Sequence, residues 1–456
     1  MGQYNFIPVE RDQDLLLPPS LREWLPENDL AWFIIDVVTQ MHLEPFYARY
    51  RTDGWGNAAY EPKMMVSLML YAYCQGIRSS RKIEQRCERD IGFRVITANQ
   101  KPDHSTIARF RQGNEKELSA LFTEILKLCA EAGLVKVGLV ALDGTKVKGN
   151  ASLGANRTYT WLEKTVQKML EEAAIQDEEE DRLYGSDKRG DEWPEDLQDR
   201  DKRLARLKEA QQRLKQEAEE IASKQAQKIK QREEEERESG KKKRGRKPKQ
   251  PKKNPKAEAK ANITDPQSRI MKTRTGYVQG YNAQAVVTEE QIIVAADVTQ
   301  EENDKQQLHP MLEQAQAELS EAGIKDKIGT ALQDAGYWSE NNILQANLEG
   351  PELLIATTKD WKQRKELREK GPPRGRIPKG ISTMERMERK LRTKRGWDLY
   401  KRRGYIVEPI FGQIKENRGC DHFMRRGHSA VQSEWRLIAA THNLLKLWRS
   451  GEWTRT

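Results

Sequence analysis

Two short apolar runs, VGLVALDG at 137–144 and IGTALQDAG at 328–336, each end in an aspartate with a glycine close behind. Runs this short and apolar, closed by turn residues, read as strands buried in a sheet; Asp143 with Gly144 ends the first, and Asp334 with Gly336 ends the second. The segment GYNAQAVVTEEQIIVAADVTQ reads as two strands around Thr288, Glu289 and Glu290, hence a β-hairpin. Helical periodicity follows from about Asp304 to Ala322 and again from near Ser339, and PELLIATT is a further apolar strand. The order strand, insertion, hairpin, helix, strand, helix, strand, loop and helix predicts an α/β core built on a mixed sheet flanked by helices.

From Asn28 to Leu134 apolar residues recur at three and four spacing, which predicts an all-α N-terminal domain. Ser79 or Ser80, and Asp103 or Ser105, are placed to cap two of its helices. Arg78, Arg81, Lys82, Arg86 and Arg89, with Arg109 and Arg111 in a later helix, form either a DNA-binding face or the solvated surface of the helices.

Between the first strand and the hairpin the chain changes character. An acidic stretch, QDEEEDRLYGSDKRGDEWPEDLQD, precedes a helix expected from about Arg200 to Ser239, where Leu204, Leu207, Leu214, Ala218 and Ile221 make a seam of coiled-coil type. The seam suits a helical hairpin arm or a dimerising stalk, and a lone solvated helix is the plainer alternative. The stretch ends in KKKRGRKPKQPKKNPK, with nine basic residues from Lys241 to Lys253, a composition that predicts disorder in the free chain. Arg244 and Arg246 suit an arm in the minor groove of DNA, against the other reading of a solvated linker.

Lysine and arginine number 80 against 70 aspartate and glutamate, a net charge of +10 that favours a polyanionic partner. No run of eighteen apolar residues occurs and the N-terminus lacks the regions of a secretion signal, so no membrane association and a cytoplasmic location are expected. Cys74, Cys87, Cys129 and Cys420 include no CxxC pair and the six histidines fall at no zinc-binding spacing, so reduced thiols and no zinc site are expected.

In open α/β sheets ligands bind beyond the carboxyl ends of the strands, where side chains from neighbouring strands converge. Asp143 and Asp334 brought together there would repel, and a divalent cation that favours hard oxygen ligands, Mg²⁺ or Mn²⁺, would resolve the repulsion. The candidate third ligand is Glu408 in GYIVEPIFGQIKENRG, beside a helical stripe of Val407, Ile410, Phe411 and Ile414. Gly412 and Lys415 lie along the flank of Glu408, so that flank can hold a metal at one end and a DNA phosphate at the other. Singly, each acid has a plainer reading: Asp143 with Gly144 as a turn, Asp334 and Glu408 as helix caps.

Together these stretches resemble bacterial insertion-sequence transposases of the DDE type, most closely the IS1182 group within the wider IS5- and IS4-like families. The segment YEPKMMVSLMLYAYCQGIRSSRKIEQRCERDIGFRVITANQKPDHSTIARFR resembles the N-terminal transposase domain of that group, and ALDGTKVKGNAS the motif around the first catalytic aspartate. DPQSRIMK with GYVQGYNAQAVV resembles the entry to the second strand, QDAGYWS the second-aspartate motif, and VEPIFGQIKENRG with EWRLIAATHNLLK the C-terminal glutamate region.

The resemblance covers nearly the whole chain and implies an RNase H-like catalytic core with Asp143, Asp334 and Glu408 as the catalytic, metal-binding triad for two Mg²⁺ or Mn²⁺ ions. It divides the chain into a helical DNA-binding and dimerisation domain (1–135), the first part of the core (136–160), the charged helical or coiled-coil insertion with its basic linker (161–262), and the rest of the core with the C-terminal helices (263–456). Lys415 matches the lysine of the IS4-type signature, whereas the tyrosine and arginine of that signature find Tyr400 and Arg403 one residue further upstream. The insertion also follows the first strand instead of preceding the glutamate helix.

The activity implied is cleavage of element ends at terminal inverted repeats, followed by attack of the freed 3′-OH on target DNA by two-metal phosphoryl transfer. Lys415, Lys146, Arg403, Arg402 and the arginines up to Arg426 would neutralise phosphates of double-stranded DNA. Trp338 and Trp161 are candidates to stack on a flipped base, with buried packing as the alternative for both. Pairing of two ends implies a homodimer, acting in a bacterial cytoplasm in association with the nucleoid. The rival readings are an RNase H-like metal-dependent nuclease without strand transfer and a non-catalytic DNA-binding protein. A phosphatase of the aspartyl-phosphate type would want an acid at position 145, which is a threonine.

Overall fold

The computed structural model describes residues 20–51, 58–169, 171, 195–240, 250–273, 276–346, 350–378 and 380–453. Residues 172–194, which hold most of the acidic stretch, and 241–249, which hold most of the basic run with Arg244 and Arg246, lie outside the described residues. Two compact units are present, Met1–Leu118 with Leu444–Thr456, and Ser119–Asn443.

The described regular elements of the first unit are all helical and include Leu30–Gln40, Pro62–Cys74, Ser80–Arg89, Ile91–Ile96 and His104–Gly113. Pro62–Cys74 is apolar almost all round because nearly every residue in it is buried, as a central helix requires. Asp103 caps its helix by accepting from the Ser105 and Thr106 amides, both at 2.9 Å, whereas Ser79 occupies the cap position of Ser80–Arg89 without a side-chain bond.

The second unit is built on strands β1 (Leu139–Lys148), β2 (Asn156–Thr158), β3 (Lys260–Asn262), β4 (Arg269–Thr273), β5 (Gly276–Thr288), β6 (Ile293–Thr299), β7 (Thr330–Gln333) and β8 (Glu352–Ile355). The main sheet runs β4-β5-β1-β7-β8, with β6 also paired to β5. β5 is antiparallel to β1, β4 and β6, while β7 is parallel to β1 and β8 to β7. The expected hairpin is β5–β6, and the expected helix is a short 3₁₀ turn, Asp304–Gln306, leading into Leu308–Glu321, whose buried Leu308, Met311, Leu312, Ala315 and Leu319 face the sheet at β5 and β6. A mixed sheet flanked by helices is present as expected, and its strand order is compatible with an RNase H-like core.

One expectation needs correcting. β1 does not close in a turn at Asp143 and Gly144 but runs on to Lys148, since pairing with β5 continues through Lys148↔Gly280. β7, on the other edge of β1, ends at Gln333 opposite Leu142. Asp143 thus lies inside a strand, at the level where its parallel neighbour stops.

Trp435, fully buried on helix His428–Ser450, donates through Nε1 to the Gln284 carbonyl at 2.9 Å. Asn443 on the same helix satisfies both backbone polar atoms of Ile293 at 2.8 Å, which fastens the start of β6 to the helix.

The insertion carries a helix, Glu195–Ser239, of roughly 68 Å at 1.5 Å per residue. Its seam is covered within the chain: Leu207, Ala210 and Leu214 form a small core with Leu162 and Val166 of helical residues 159–169 and with Ala261 of β3. The register differs from the expected one, because Ala210 and Ala222 are buried while Ile221 is 56% exposed. Around Leu207–Leu214 the helix thus packs against helical residues 159–169 and β3. The four cysteines are free and buried.

Candidate active site

Asp143 is the first residue of β1 past its pairing with β7, and Asp334 is the first residue past the end of β7. Two carboxylates thus leave adjacent parallel strands at one level, where an open sheet offers a crevice. Asp143 accepts from the Gly144 amide at 2.9 Å through Oδ1 and from Arg403 Nη2 at 2.6 Å through Oδ2. Asp334 Oδ1 accepts from the Gly336 amide at 2.7 Å.

Burial pushes the Asp143 carboxyl up to about 6, Arg403 opposes this, and the charge of Asp334 reinforces it. Burial would lower the Arg403 guanidinium, yet Asp143 and the other acids of the site hold it above its usual value. The arrangement concentrates negative charge in a largely buried place, with the Arg403 guanidinium closely engaged against it.

Arg403 also reaches Glu408 Oε1 at 3.5 Å, so it links the first aspartate to the expected third acid. Glu408 opens helix Glu408–Gly412 and its side chain is 65% exposed, while Val407, Ile410 and Ile414 are buried and Phe411 stacks near Trp435. The extra residue between Arg403 and Glu408 is absorbed where helix Arg403–Ile406 gives way to Glu408–Gly412 at Val407. Tyr400, three residues upstream, donates to the Gln333 carbonyl at 3.2 Å and fastens this segment to the end of β7.

After Gly412 the chain widens into a π-helical turn, Gln413–Asn417. Lys415 sits in that turn and donates to Thr145 Oγ1 at 2.6 Å and to the Lys146 carbonyl at 2.8 Å. Its amine is tied to β1, two residues beyond Asp143, and burial lowers its pKa. Lys146 is also largely buried, with Nζ 3.5 Å from Asp304 Oδ1, and burial lowers it against the pull of Asp304.

Sequence reasoning missed Asp304, which it read only as the start of a helix. Its Oδ1 accepts from Asn282 Nδ2 at 2.6 Å and Gln284 Nε2 at 2.8 Å, and Gln284 accepts in turn from the buried Tyr337 hydroxyl. The available signal was the pair of amides two residues apart in the otherwise apolar YNAQAVV.

Other expected site residues are dispersed. Arg402 pairs on the surface with Glu289 at 2.7 Å. In the helical unit Arg81 and Arg109 are exposed, whereas Arg78 is 4% exposed and its carbonyl accepts from Arg111 at 2.7 Å. Trp161 packs against the small core of the insertion, with the Arg157 guanidinium 5.3 Å from its ring centre, and Trp338 is half-buried four residues past Asp334.

Asp143, Asp334, Glu408 and Asp304 offer hard oxygen donors of the kind Mg²⁺ and Mn²⁺ prefer. The carboxylates pack so closely that a side chain is excluded beside them: a Cβ at Gly336 would stand 2.8 Å from Asp334 Oδ1 and 3.3 Å from Asp304 Oδ2. Among the described residues, no group of three or more His, Cys, Asp or Glu is gathered closely enough to hold a metal ion. The donor types suit such an ion, but the acids do not converge on one point: Arg403 stands between Asp143 and Glu408.

Two family models match the chain. A transposase domain (DUF772) matches residues 19–113, and a transposase DDE domain matches residues 374–448. The second match contains Arg402, Arg403, Glu408 and Lys415, whereas Asp143 and Asp334 lie outside both. No curated protein and no solved structure matched. Enzymes of the matched DDE class generally work on DNA with divalent metal ions. No helix among the described residues is long and apolar enough to cross a membrane.

Proposed function

We propose that this chain, a DDE transposase of insertion-sequence type on its two matched domains and consistent with the IS1182 group, binds terminal inverted repeats, cleaves the element ends and joins the freed 3′-OH to target DNA. The observation that carries this reading is the meeting of Asp143 and Asp334 at one level of two parallel strands, with Arg403 linking Asp143 to Glu408.

In this reading Asp143, Asp334 and Glu408 are the catalytic acids and hold the metal. Two Mg²⁺ or Mn²⁺ ions would supply the charge that activates the attacking oxygen and stabilises the leaving one. Arg403 and Lys146 place positive charge beside the scissile phosphate, and Arg402 extends it over the surface. Lys415 acts by steadying β1 next to Asp143. Arg81 and Arg109 are the DNA contacts assigned to the helical unit, Arg244 and Arg246 those of the basic run, and Trp338 and Trp161, both half-buried, are the base-stacking candidates, of which Trp338 lies nearer in the chain to a catalytic acid. Joining two ends calls for a homodimer.

The test is incubation with duplexes carrying the element ends, a target duplex and Mg²⁺. Cleavage and joined products are expected from the native chain and neither from Asp143→Ala, Asp334→Ala or Glu408→Ala. Cleavage that survives all three changes rejects the assignment, and cleavage without joining favours a nuclease of RNase H type.

A further inference from the structure

We infer that Arg403 is a latch: in the free protein its guanidinium stands between Asp143 and Glu408 and keeps the acids apart, and a backbone phosphate of bound DNA draws it away. The inference rests on the reading of Asp143, Asp334 and Glu408 as the acids of the site. It adds a control on that same site, because it makes clearance of the space between the acids depend on DNA.

The contacts show what separates the acids. Asp143 Oδ2 accepts from Arg403 Nη2 at 2.6 Å, and Glu408 Oε1 stands 3.5 Å from Nη1. Asp143 and Arg403 are both largely buried, whereas Glu408 is exposed, so the guanidinium lies between an inner acid and an outer one. The charge of Asp334 acts on the same guanidinium. One monovalent cation thus offsets three carboxylates. While it does so, any second cation entering that space meets a like charge a few ångström away, in surroundings that screen less than water.

The hold of the latch is incomplete. A guanidinium pairs most strongly when two of its N–H groups meet two oxygens in parallel. Here only the bond to Asp143 is short, and the approach to Glu408 is long for a hydrogen bond. The third nitrogen, Nε, is buried and has no hydrogen-bond partner among the described residues. Leaving Asp143 with nothing in return would strand the guanidinium, which is costly for a buried group. A phosphate has the oxygens to take Nε and Nη2 together, so it offers Arg403 a more complete partner than the one it leaves. The backbone can stay in place during the exchange. Tyr400 ties this segment to the Gln333 carbonyl at 3.2 Å, and Ile406 and Val407 are buried just beyond Arg403, so the swing belongs to the side chain.

The experiment is calorimetric titration with Mn²⁺ of the full-length native chain, Arg403→Gln and Arg403→Lys, each alone and with a duplex carrying an element end. The duplex by itself is the reference, and circular dichroism checks folding. Without DNA, Arg403→Gln is expected to bind Mn²⁺ about tenfold or more tightly than the native chain, since a unit charge beside the acids has been removed. Arg403→Lys, which keeps the charge and loses the fork, is expected between the two. The duplex is expected to raise the affinity of the native chain by a larger factor than that of Arg403→Gln, whose latch is already gone. The latch is overturned, and the proposed function left standing, by Arg403→Gln affinity no tighter than native or by an equal gain from the duplex in both. Where Arg403→Gln does not fold, the same comparisons with Arg403→Lys decide. A native chain that, with the duplex, binds no more Mn²⁺ than the duplex alone overturns both.

Discussion

The buried carboxylate of Asp143 makes a prediction that needs no DNA and no metal. Its pKa stands at about 6 against 3.8 for the unperturbed group, with burial as the main cause. A carboxyl raised in the folded state holds its proton more tightly there than in the unfolded chain, so its contribution to stability falls as pH rises from about 4 through 6, and the penalty is complete above that. At 1.36 kcal/mol for each tenfold in proton affinity, keeping Asp143 ionised costs about 3 kcal/mol. Replacing it in Asp143→Asn removes this titration and also strips Arg403 of its ion pair. The second effect is constant across the range, because the guanidinium stays charged. The stability of the native chain minus that of Asp143→Asn should therefore drop by about 1.4 kcal/mol between pH 5 and pH 7.5. Urea unfolding followed by tryptophan fluorescence, with EDTA present, measures both curves. A difference that stays flat or grows with pH would mean that Arg403 outweighs burial, and the account of the site as a largely buried, charge-crowded crevice would be wrong.

Because a ligand must shed its proton to bind a cation, Mn²⁺ affinity should rise by up to about tenfold per pH unit below 6 and level off above it, with proton release measurable by calorimetry in buffers of different ionisation enthalpy. Arg81→Ala and Arg109→Ala should each lower the slope of log affinity for DNA against log salt by about one, whereas Arg78→Ala, buried as that side chain is, should lower the melting temperature instead. Lys415→Ala should leave the salt slope unchanged while impairing cleavage, since its amine is engaged by Thr145 and the Lys146 carbonyl. Leu207→Ala should destabilise the packing of the insertion helix by about 2–5 kcal/mol and expose helical residues 159–169 to limited proteolysis.

Much of the sheet is legible in the amino-acid sequence, for a physical reason. β7 and β8 are short and buried almost throughout, so each appears as an uninterrupted apolar run, and the β5–β6 hairpin declares itself by a polar turn between two such runs. The second half of β1, DGTKVK, has no such signal. It stays extended only because β5, far away in the chain, pairs with it to Lys148. Asp304 was hidden in a similar way. A lone acid before a helix usually caps it, and only the folded chain reveals that its partners are Asn282 and Gln284. Arg403 shows the opposite case: its offset by one residue from the expected position looked like a mismatch until the break at Val407 let it reach both Asp143 and Glu408.

The place of the insertion has a kinetic consequence. β1 leaves the ribosome before either of its partners in the main sheet, β5 and β7, and the whole stretch 149–275 must be made before the first of them appears. At ordinary translation rates that interval is on the order of ten seconds, during which an apolar strand has no partner in its own sheet. The short ladder Asn156↔Asn262, Arg157↔Ala261, Thr158↔Lys260 draws the two ends of the insertion together and makes the long excursion act as a short loop. Nascent chains released before Gly276 should accordingly aggregate through β1, and chains released after Thr288 should do so less, because β5 is then available to pair with it.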